Sequence, residues 1–300
     1  MNAALDESVK LGMTSRLPAE TYHALPGVSI TRLKELKRSG KHYQYRLKHP
    51  KFTASLSLGT AAHCATLEPE RFDSEFAAWS RRSEKTGELC PRNGQWWDRF
   101  KAENPGKAII TEDESDAALL IAGAVRSDPV ASRYLQTGDP EVSLQWAMDV
   151  ESLIHRRTVT LQCRGRADWL TRIDGEHYVV GLKTAANILP VLFGNAAARL
   201  SYHMQWAFYM DGYKAITGVT PHMREIVVES QAPYDVVVYQ IPEDIILQGR
   251  AEYEALLRQL VDCELRQEWL GVSNGTEQVL SFPTWAFDAQ DDIAELGLEN

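Results

Sequence analysis

The sequence predicts a single α/β domain built around a mixed β-sheet. Up to residue 126 the predicted regular elements are helices, separated by a long loop, and between residues 141 and 182 apolar and polar residues alternate as in strands. A helix, two strands and a final helix follow. This order suits a sheet with helices packed against it, and no internal repeat or low-complexity segment interrupts it.

The bulk composition permits a sizeable core and does not favour a protein that coats nucleic acid. The chain has 300 residues, 44% of them hydrophobic, and a net charge of −9. That length fits one large domain or two small ones. The acidic balance argues against non-specific coating of nucleic acid, but a metal site with a local basic groove can outweigh the global sign.

The cysteines and the apolar runs predict a reducing, aqueous environment. Cys64, Cys90, Cys163 and Cys263 lack the spacing of a zinc site, and a disulfide framework is unusual in a chain of this size. An iron–sulfur cluster would need cysteines closer together. We find no signal peptide and no apolar run long enough for a bilayer, and therefore expect a cytoplasmic protein without a membrane segment.

The N-terminal part is predicted to be an arm followed by a short helix. Residues 1–27 end at Leu-Pro-Gly and are typical of a tail or of an arm laid on the domain. Ser29 is a candidate N-cap for a helix that places Ile30, Leu33 and Leu36 on one face. Basic and aromatic residues follow, namely Lys34, Lys37, Arg38, Lys41, Tyr43, Tyr45 and Arg46. They form either a solvated helix face or a phosphate-contacting surface with stacking aromatics.

Two helices and a long loop are predicted next. Residues 57–68 form a helix that carries His63, and residues 113–126 form an amphipathic helix that stops before a proline. Residues 80–107 have few periodic apolar positions and indicate a long loop with a short helix near Trp96. The basic residues of this loop are further candidates for phosphate contacts, namely Arg81, Arg82, Lys85 and Arg92.

The strand pattern begins at Glu141, where apolar and polar residues start to alternate. Residues 159–163, 167–172 and 177–182 are predicted as three further strands. The dipeptide Asp174-Gly175 is typical of a tight hairpin turn between the last two.

The C-terminal half is predicted to return to helices around two strands. Residues 193–217 form one long helix closed at Gly218. Residues 223–229 and 236–239 form strands. Pro242 then opens a last helix, whose inward-facing residues are Ile246, Tyr253, Leu257 and Leu260.

Asp168 and Lys183 are the leading candidates for chemistry. The predicted turn folds their strands together so that the two residues become neighbours. Many nucleases hold a divalent metal and activate water with such a carboxylate beside an ammonium, which can also neutralise a pentavalent phosphate. The residues that precede Lys183 are apolar, so the lysine emerges from a buried strand, which favours this function over a surface lysine.

Position 181 departs from that arrangement. A second carboxylate is expected two residues before the lysine, on the same face of the strand because side chains alternate with period two. The chain has Gly181 there, so this position offers no hard oxygen ligand of the kind that Mg²⁺ prefers. We therefore expect weak metal binding, and we expect Gly181→Asp to create or raise activity.

Four other residues are candidates for the same site. Glu141 is either an exposed strand-start residue or a further acidic group at the metal. His63 follows small residues that would let its helix approach the sheet and leave the imidazole free as a ligand, although a lone helical histidine is more often packed. Gln205 and Tyr209 lie four residues apart on one helix face, where they could bind a phosphate or base edge and orient Lys183.

Four segments resemble the RecE-type exonucleases (exodeoxyribonuclease VIII) of phages and prophages, in the PD-(D/E)xK superfamily. Residues 58–64 (LGTAAHC) with 67–69 (LEP) resemble the family's Gly-Thr-x-x-His helix, and residues 163–168 (CRGRAD) its first acidic motif. Residues 202–213 (YHMQWAFYMDGY) resemble its Gln-x-x-x-Tyr helix and are the most specific match. Residues 280–286 (LSFPTWA) resemble its C-terminal signature.

The resemblance implies a restriction-endonuclease-like core with a mixed central β-sheet flanked by helices, over one domain at residues 28–290 between an N-terminal arm (1–27) and a C-terminal tail (291–300). It implies that His63 and Asp168 are metal ligands, that Lys183 is the catalytic lysine, and that Gln205, Tyr209 and Glu141 support them. It further implies Mg²⁺, with Mn²⁺ as a substitute, and degradation of linear double-stranded DNA from 5′ ends to leave 3′ overhangs. A ring-shaped homo-oligomer, a RecT-like single-strand annealing protein as partner, a role in DNA recombination and the cytoplasm of a bacterial host cell are implied as well.

Gly181 leaves two hypotheses open. The chain is either an exonuclease impaired at the second acidic position, through an engineered change or natural degeneration, or a DNA-end-binding protein that kept the fold and lost catalysis. A restriction-type endonuclease would share the core but should cut closed circles. In each case we expect DNA contacts from Arg81, Arg82, Lys85, Arg92, Lys37 and Arg38, and a steep dependence of affinity on salt.

Overall fold

The computed structural model describes residues 11–49, 58–152 and 154–282. In these ranges the strands are β1 (Gly12–Thr14), β2 (Val28–Ser29), β3 (Phe76–Trp79), β4 (Ala108–Thr111), β5 (Asp139–Ser152), β6 (Arg157–Ile173), β7 (Glu176–Ala185), β8 (His222–Glu229) and β9 (Val236–Gln240).

The helices in the same ranges are α1 (Ala19–Ala24), α2 (Ile30–Leu33), α3 (Gly40–Lys48), α4 (Leu58–Leu67), α5 (Pro69–Glu75), α6 (Gly94–Glu103), α7 (Glu112–Ser127), α8 (Pro129–Leu135), α9 (Pro190–Arg199), α10 (Tyr202–Thr217) and α11 (Glu243–Arg266). A 3₁₀ turn at Lys34–Lys37 joins α2 to the serine cap of α3.

A mixed sheet forms the centre of the molecule. Its strand order is β1-β5-β6-β7-β8-β9, and β2 pairs with β6 beside this path. The pairs β7–β8 and β2–β6 are parallel, whereas the other neighbours in the sheet are antiparallel. The strands β3 and β4 form a separate parallel pair. The predicted α/β class with a mixed central sheet is therefore confirmed.

Helices cover both faces of this sheet, and alternation along the strands gives each face its own core. Val179 of β7 and Met223 of β8 pack with α2, α10 and α11 on one face. Val180 and Leu182 of β7 pack with α4 and α7 on the other face. The two cores place α4 and α10 on opposite sides of β7, so residues of both helices can reach the end of that strand.

Several predicted helix signals are confirmed. Ser29 accepts a hydrogen bond from the backbone N–H of Arg32 and caps α2, and Ile30, Leu33 and Leu36 are buried. Residues 58–67 form the predicted helix, a short helix (α6) lies in the predicted loop, and α11 buries the four predicted residues. Gly218 ends α10 in the left-handed conformation, with φ of 76°.

Two predictions of element boundaries were wrong, and one helix was not predicted. The predicted strands at 159–163 and 167–172 form one continuous strand, β6, because β5 pairs along both of them. The predicted helix 193–217 is two helices, because Ser201 adopts a left-handed conformation with φ of 54° and breaks it. The helix predicted at 113–126 does stop before Pro129, but Asp128 caps an additional helix, α8, which begins at that proline and was not predicted.

The arm of residues 1–27 is part of the folded structure from residue 12 onward. β1 adds an edge strand to β5, where Gly12 lies opposite Gln145. α1 follows and brings Tyr22 and His23 to the cavity described below. Residues 1–10 and the predicted tail 291–300 lie outside the described residues, as do positions 283–286 of the C-terminal signature, so the proposed domain limits stay a prediction.

Candidate active site

Asp168 and Lys183 meet where the strands β6 and β7 separate. The ladder between these strands runs from Ile173–Glu176 to Trp169–Val180. Beyond it, the Asp168 carboxylate accepts a hydrogen bond from the backbone N–H of Leu182 at 2.9 Å. Lys183 Nζ donates to the same Asp168 oxygen at 3.3 Å. The side-chain pairing predicted from the hairpin is confirmed.

The electrostatics of this pair favour two charged groups. Burial alone would raise the pKa of Asp168, but Lys183 and His63 hold it below its usual range. Burial likewise opposes the charge on Lys183, yet Asp168 and Glu225 raise the pKa of the ammonium. The lysine is therefore a cation between two acidic side chains.

His63, Glu141 and Asp168 form a group that could hold a metal ion. Each offers one ligand atom, and these atoms all lie within 4.8 Å of one another. His63 comes from α4 and burial lowers its pKa, which favours the neutral imidazole that a metal requires. Two carboxylates and one imidazole are a donor set that could hold a divalent metal ion.

Glu141 reaches this group from an unusual backbone position. Its φ is 49°, although it lies within β5, and it faces β6 between the pairs Pro140–Trp169 and Val142–Ala167. Arg166 Nε contacts its carboxylate at 2.5 Å. Burial raises the pKa of Glu141 to about 7, against the opposing effect of Arg166. Glu141 is therefore not an exposed strand-start residue, and its carboxylate belongs to the group that could hold a metal.

A residue that the sequence analysis missed lies beside Gly181. Glu225 is the residue of β8 that pairs with Gly181 in parallel register, and its side chain is 1% exposed. Its Oε1 lies 3.5 Å from Lys183 Nζ, and Trp206 Nε1 donates to its other oxygen. Burial raises the pKa of Glu225 while Lys183 opposes that rise. The sequence suggested that the site lacks an acidic group near position 181. Glu225 of β8 provides one there.

The helix α10 closes the site on one side with the predicted polar pair. Gln205 Nε2 donates to the hydroxyl of Tyr209 at 3.3 Å, which confirms that they share a face. A Cβ at Gly165 would lie 2.8 Å from the Tyr209 ring, so a glycine at this point of β6 lets the ring approach. Tyr202, at the start of the same helix, places its ring centroid 5.7 Å from Lys183 Nζ.

Most of these residues line one open cavity of about 570 Å³, whereas Gln205 and Glu225 lie behind its wall. His63, Glu141, Asp168, Lys183 and Tyr209 all contribute to its walls. The remaining wall residues that matter for charge are Glu68, Arg71 and Glu75 from the α4–α5 region and Arg166 from β6. Two larger cavities lie elsewhere, between α3 and α11 and beside α9, but neither contains the acidic and basic residues just described.

The predicted DNA-contacting residues lie apart from this cavity. Several of them already have acidic or aromatic partners: Arg81 lies 4.0 Å from the Trp96 ring centroid, and Arg82–Glu112, Arg92–Glu114, Lys37–Glu252 and Arg38–Glu35 are ion pairs of 3.1 to 3.7 Å. Lys85 lies in a turn closed by Ser83. None of the six lines the described cavity, so a DNA role for them stays a prediction.

Of the predicted stacking aromatics, one is wrong and one stays open. Tyr43 is buried and stacks on Trp269 with ring centroids 5.7 Å apart, so it cannot receive a base. Tyr45 is 59% exposed. Lys34, from the same segment, lies near the site, because its Nζ is 5.8 Å from the Tyr202 ring centroid and Lys183 Nζ is 5.7 Å from the same point. Burial, and then the charge of Lys183, lowers the pKa of Lys34 to about 8.

The sequence pattern around Glu225 indicates a buried acid, but the pairing of β8 with β7 is needed to place that acid beside Gly181. Residues 223, 225 and 227 alternate as Met, Glu and Val, so a buried strand carries a charge on its core face. An alternating pattern of this kind predicts a buried acid, which needs a partner.

The four cysteines are free, as predicted from their spacing.

A carboxylate–lysine pair in a fork of a mixed sheet, with helices on both faces, defines a restriction-endonuclease-like domain. A family model described as a PDDEXK-like domain of unknown function (DUF3799) matches residues 29–279. The chain belongs to this family.

A solved structure supports the fold. A protein from Eubacterium rectale, named provisionally as an exonuclease, is 14% identical with a TM-score of 0.57, and the match covers 92% of this chain and 98% of that one. SSO0001 (13% identity, TM-score 0.29, covering 89% of this chain and 93% of its own) and VC1899 from Vibrio cholerae (11%, 0.20, 84% and 58%) also match, but too distantly to support an argument. A search of curated proteins finds no match. No helix among the described residues is long and apolar enough to cross a membrane.

Proposed function

We propose that the protein is a divalent-metal-dependent nuclease that degrades linear double-stranded DNA. The observation that carries the proposal is the convergence of Asp168, Lys183, His63 and Glu141 in one cavity. On a PDDEXK-like domain this set provides a carboxylate–lysine pair together with a metal-binding group.

The residues divide into binding and positioning roles. His63, Glu141 and Asp168 would hold Mg²⁺ or Mn²⁺, which when bound polarises the scissile phosphate and lowers the pKa of an attacking water. Lys183 presents its ammonium to the same place and balances the charge that develops on the phosphoryl oxygens. Gln205 and Tyr209 keep the wall beside Lys183 polar, where they can orient a phosphate.

We propose further that the cleavage is exonucleolytic and proceeds from 5′ ends to leave 3′ single strands. The support is the resemblance of the 58–64, 163–168 and 202–213 segments to RecE-type exonucleases, together with the exonuclease name of the Eubacterium rectale neighbour. On the same resemblance rest a ring-shaped homo-oligomer, a RecT-like annealing partner, a place in phage-type recombination, and the cytoplasm of a bacterial host as the setting.

The test compares linear and closed duplexes. The protein is incubated with Mg²⁺ or Mn²⁺ and with duplexes labelled at either the 5′ or the 3′ end, and release of acid-soluble nucleotide is followed. We expect early release of the 5′ label, no attack on a covalently closed circle, and loss of activity with a chelator. Cutting of the closed circle would make the protein an endonuclease, and binding of ends without release would make it an end-binding protein.

A further inference from the structure

Glu225 and Gly181 occupy one space. The two residues pair in parallel register on β8 and β7. A Cβ built on Gly181 would lie 2.6 Å from Glu225 Oε2 and 2.7 Å from its Cδ. The Glu225 carboxylate thus lies over the backbone of Gly181, on the face that carries Lys183, where any side chain at 181 would begin.

The partners of Glu225 tie it to Lys183. Its Oε2 accepts a hydrogen bond from Trp206. Its Oε1 accepts no hydrogen bond from any residue that the structure describes and lies 3.5 Å from Lys183 Nζ. A buried carboxylate is costly unless it is paired, so Glu225 depends on Lys183 and Trp206, and its charge is bound to the lysine of the site.

Resting on the proposed nuclease function, we propose that Glu225 places from β8 a carboxylate beside Lys183, in the space where the acid-x-Lys pattern has its acid at position 181, and that Gly181 is the accompanying change that makes room for it. The lysine then keeps a second acidic partner although position 181 has no side chain. Asp168 and Glu225 flank the ammonium of Lys183 at 3.3 and 3.5 Å.

Glu225 acts through the lysine as a positioning residue. It lies outside the group of three ligand atoms formed by His63, Glu141 and Asp168. It therefore fixes Lys183 beside that group and balances its charge. Gly181→Asp alone should therefore lower activity, contrary to the expectation from the sequence. The new side chain would overlap the Glu225 carboxylate and bring two like charges together.

The test exchanges the acid between the strands. Glu225→Gln keeps the shape and can still accept from Trp206, and we expect kcat to fall about 10–100-fold with little change in KM for DNA, as for other residues that orient a site. Gly181→Asp alone should also lower kcat. The double variant Gly181→Asp with Glu225→Ala should recover most of the rate lost in Glu225→Ala. Glu176→Gln, an exposed acid on β7, is the matched control and should keep the wild-type rate.

Metal binding and stability provide readouts that do not need activity. Mn²⁺ affinity of Glu225→Gln, measured by calorimetry, should stay within about threefold of wild type, because Glu225 acts through Lys183. The melting temperature should fall in Gly181→Asp and rise again when Glu225→Ala is added. An unchanged kcat in Glu225→Gln, or a double variant no better than Glu225→Ala, overturns the proposal. If the wild type digests no DNA at all, the proposed function fails, and the melting temperatures alone then decide whether the two positions share one space.

Discussion

The cavity and the surface around α7 hold ion pairs of opposite kinds. At the cavity, the side chains of Lys183 and its partner Glu225 are 18% and 1% exposed, so the two charges face each other with little solvent around them. Around α7, Arg82 and Glu112 are 48% and 41% exposed, and the pair is screened by water and salt. Buried charges depend on each partner, whereas exposed pairs contribute little. The two regions should therefore respond very differently to the same kind of substitution.

The largest effect is expected from removing the ammonium. Lys183→Met leaves Asp168 and Glu225 facing each other without a cation, so we expect the nuclease rate to fall about 10³-fold and the free energy of unfolding to fall by about 3–5 kcal/mol. Nucleotide release and denaturant unfolding measure the two losses. Lys214→Met, on the exposed end of α10, is the control and should change neither. A fully active Lys183→Met variant would remove the lysine from the mechanism.

The metal group should show the next largest effect. Asp168→Asn removes a ligand that also holds Lys183, and we expect Mn²⁺ affinity to fall about 100-fold, whereas Glu141→Gln, whose carboxylate is shared with Arg166, should cost about 10-fold. Titration calorimetry with Mn²⁺ separates the two. Asp174→Asn, in the exposed hairpin turn, should leave affinity unchanged. Equal affinity in the wild type and in Asp168→Asn would show that the cation binds elsewhere.

The salt dependence of DNA binding tests whether the surface lysines and arginines contact phosphate groups. We expect affinity for a linear duplex to fall steeply with salt despite the net charge, because phosphate contacts release counterions. Arg92→Ala should reduce the slope of that dependence by less than about one unit, because its guanidinium already pairs with Glu114. Filter binding between low and moderate salt gives the slope. A flat profile would exclude a phosphate-tracking groove.

The smallest effect is expected at the exposed pair itself. Arg82→Ala should lower the free energy of unfolding by less than about 1 kcal/mol, since Arg82 and Glu112 are both well solvated. Chemical denaturation of the two proteins under identical salt measures it. A loss as large as that predicted for Lys183→Met would erase the difference between the two regions.

Much of the fold could be predicted from the sequence, because strand alternation, turn residues and helix caps depend on neighbouring residues. Alternation predicted β7 and the start of β5, the Asp174-Gly175 turn predicted the hairpin, and Gly218 predicted the end of α10. The helix break at Ser201 could not be predicted, because a serine in the sequence does not indicate whether its backbone is left-handed or helical. The continuity of β6 depends on its pairing with β5, which is a tertiary contact.

The site was predictable to the extent that its residues lie on one chain segment or one hairpin. Asp168 and Lys183 follow from the hairpin, and Gln205 and Tyr209 from helical spacing. Glu225 lies 42 positions beyond Lys183 in the chain, and it reaches the site only because β8 pairs with β7 in parallel. The missing acid at position 181 could therefore be seen in the sequence. Glu225, which lies in its place, could be found only from the pairing of β8 with β7.

The register between Gly181 and Glu225 also has an evolutionary consequence. A lineage that moves the acid from one strand to the other must pass through a protein with two overlapping acids or a protein with none. Both intermediates carry a penalty, so the two positions should change together among relatives, and a relative with Asp or Glu at the position of Gly181 should have a small residue at the position of Glu225. Pattern searches that require the acid and the lysine on one strand would discard chains of this kind, and a search across paired strands would retain them.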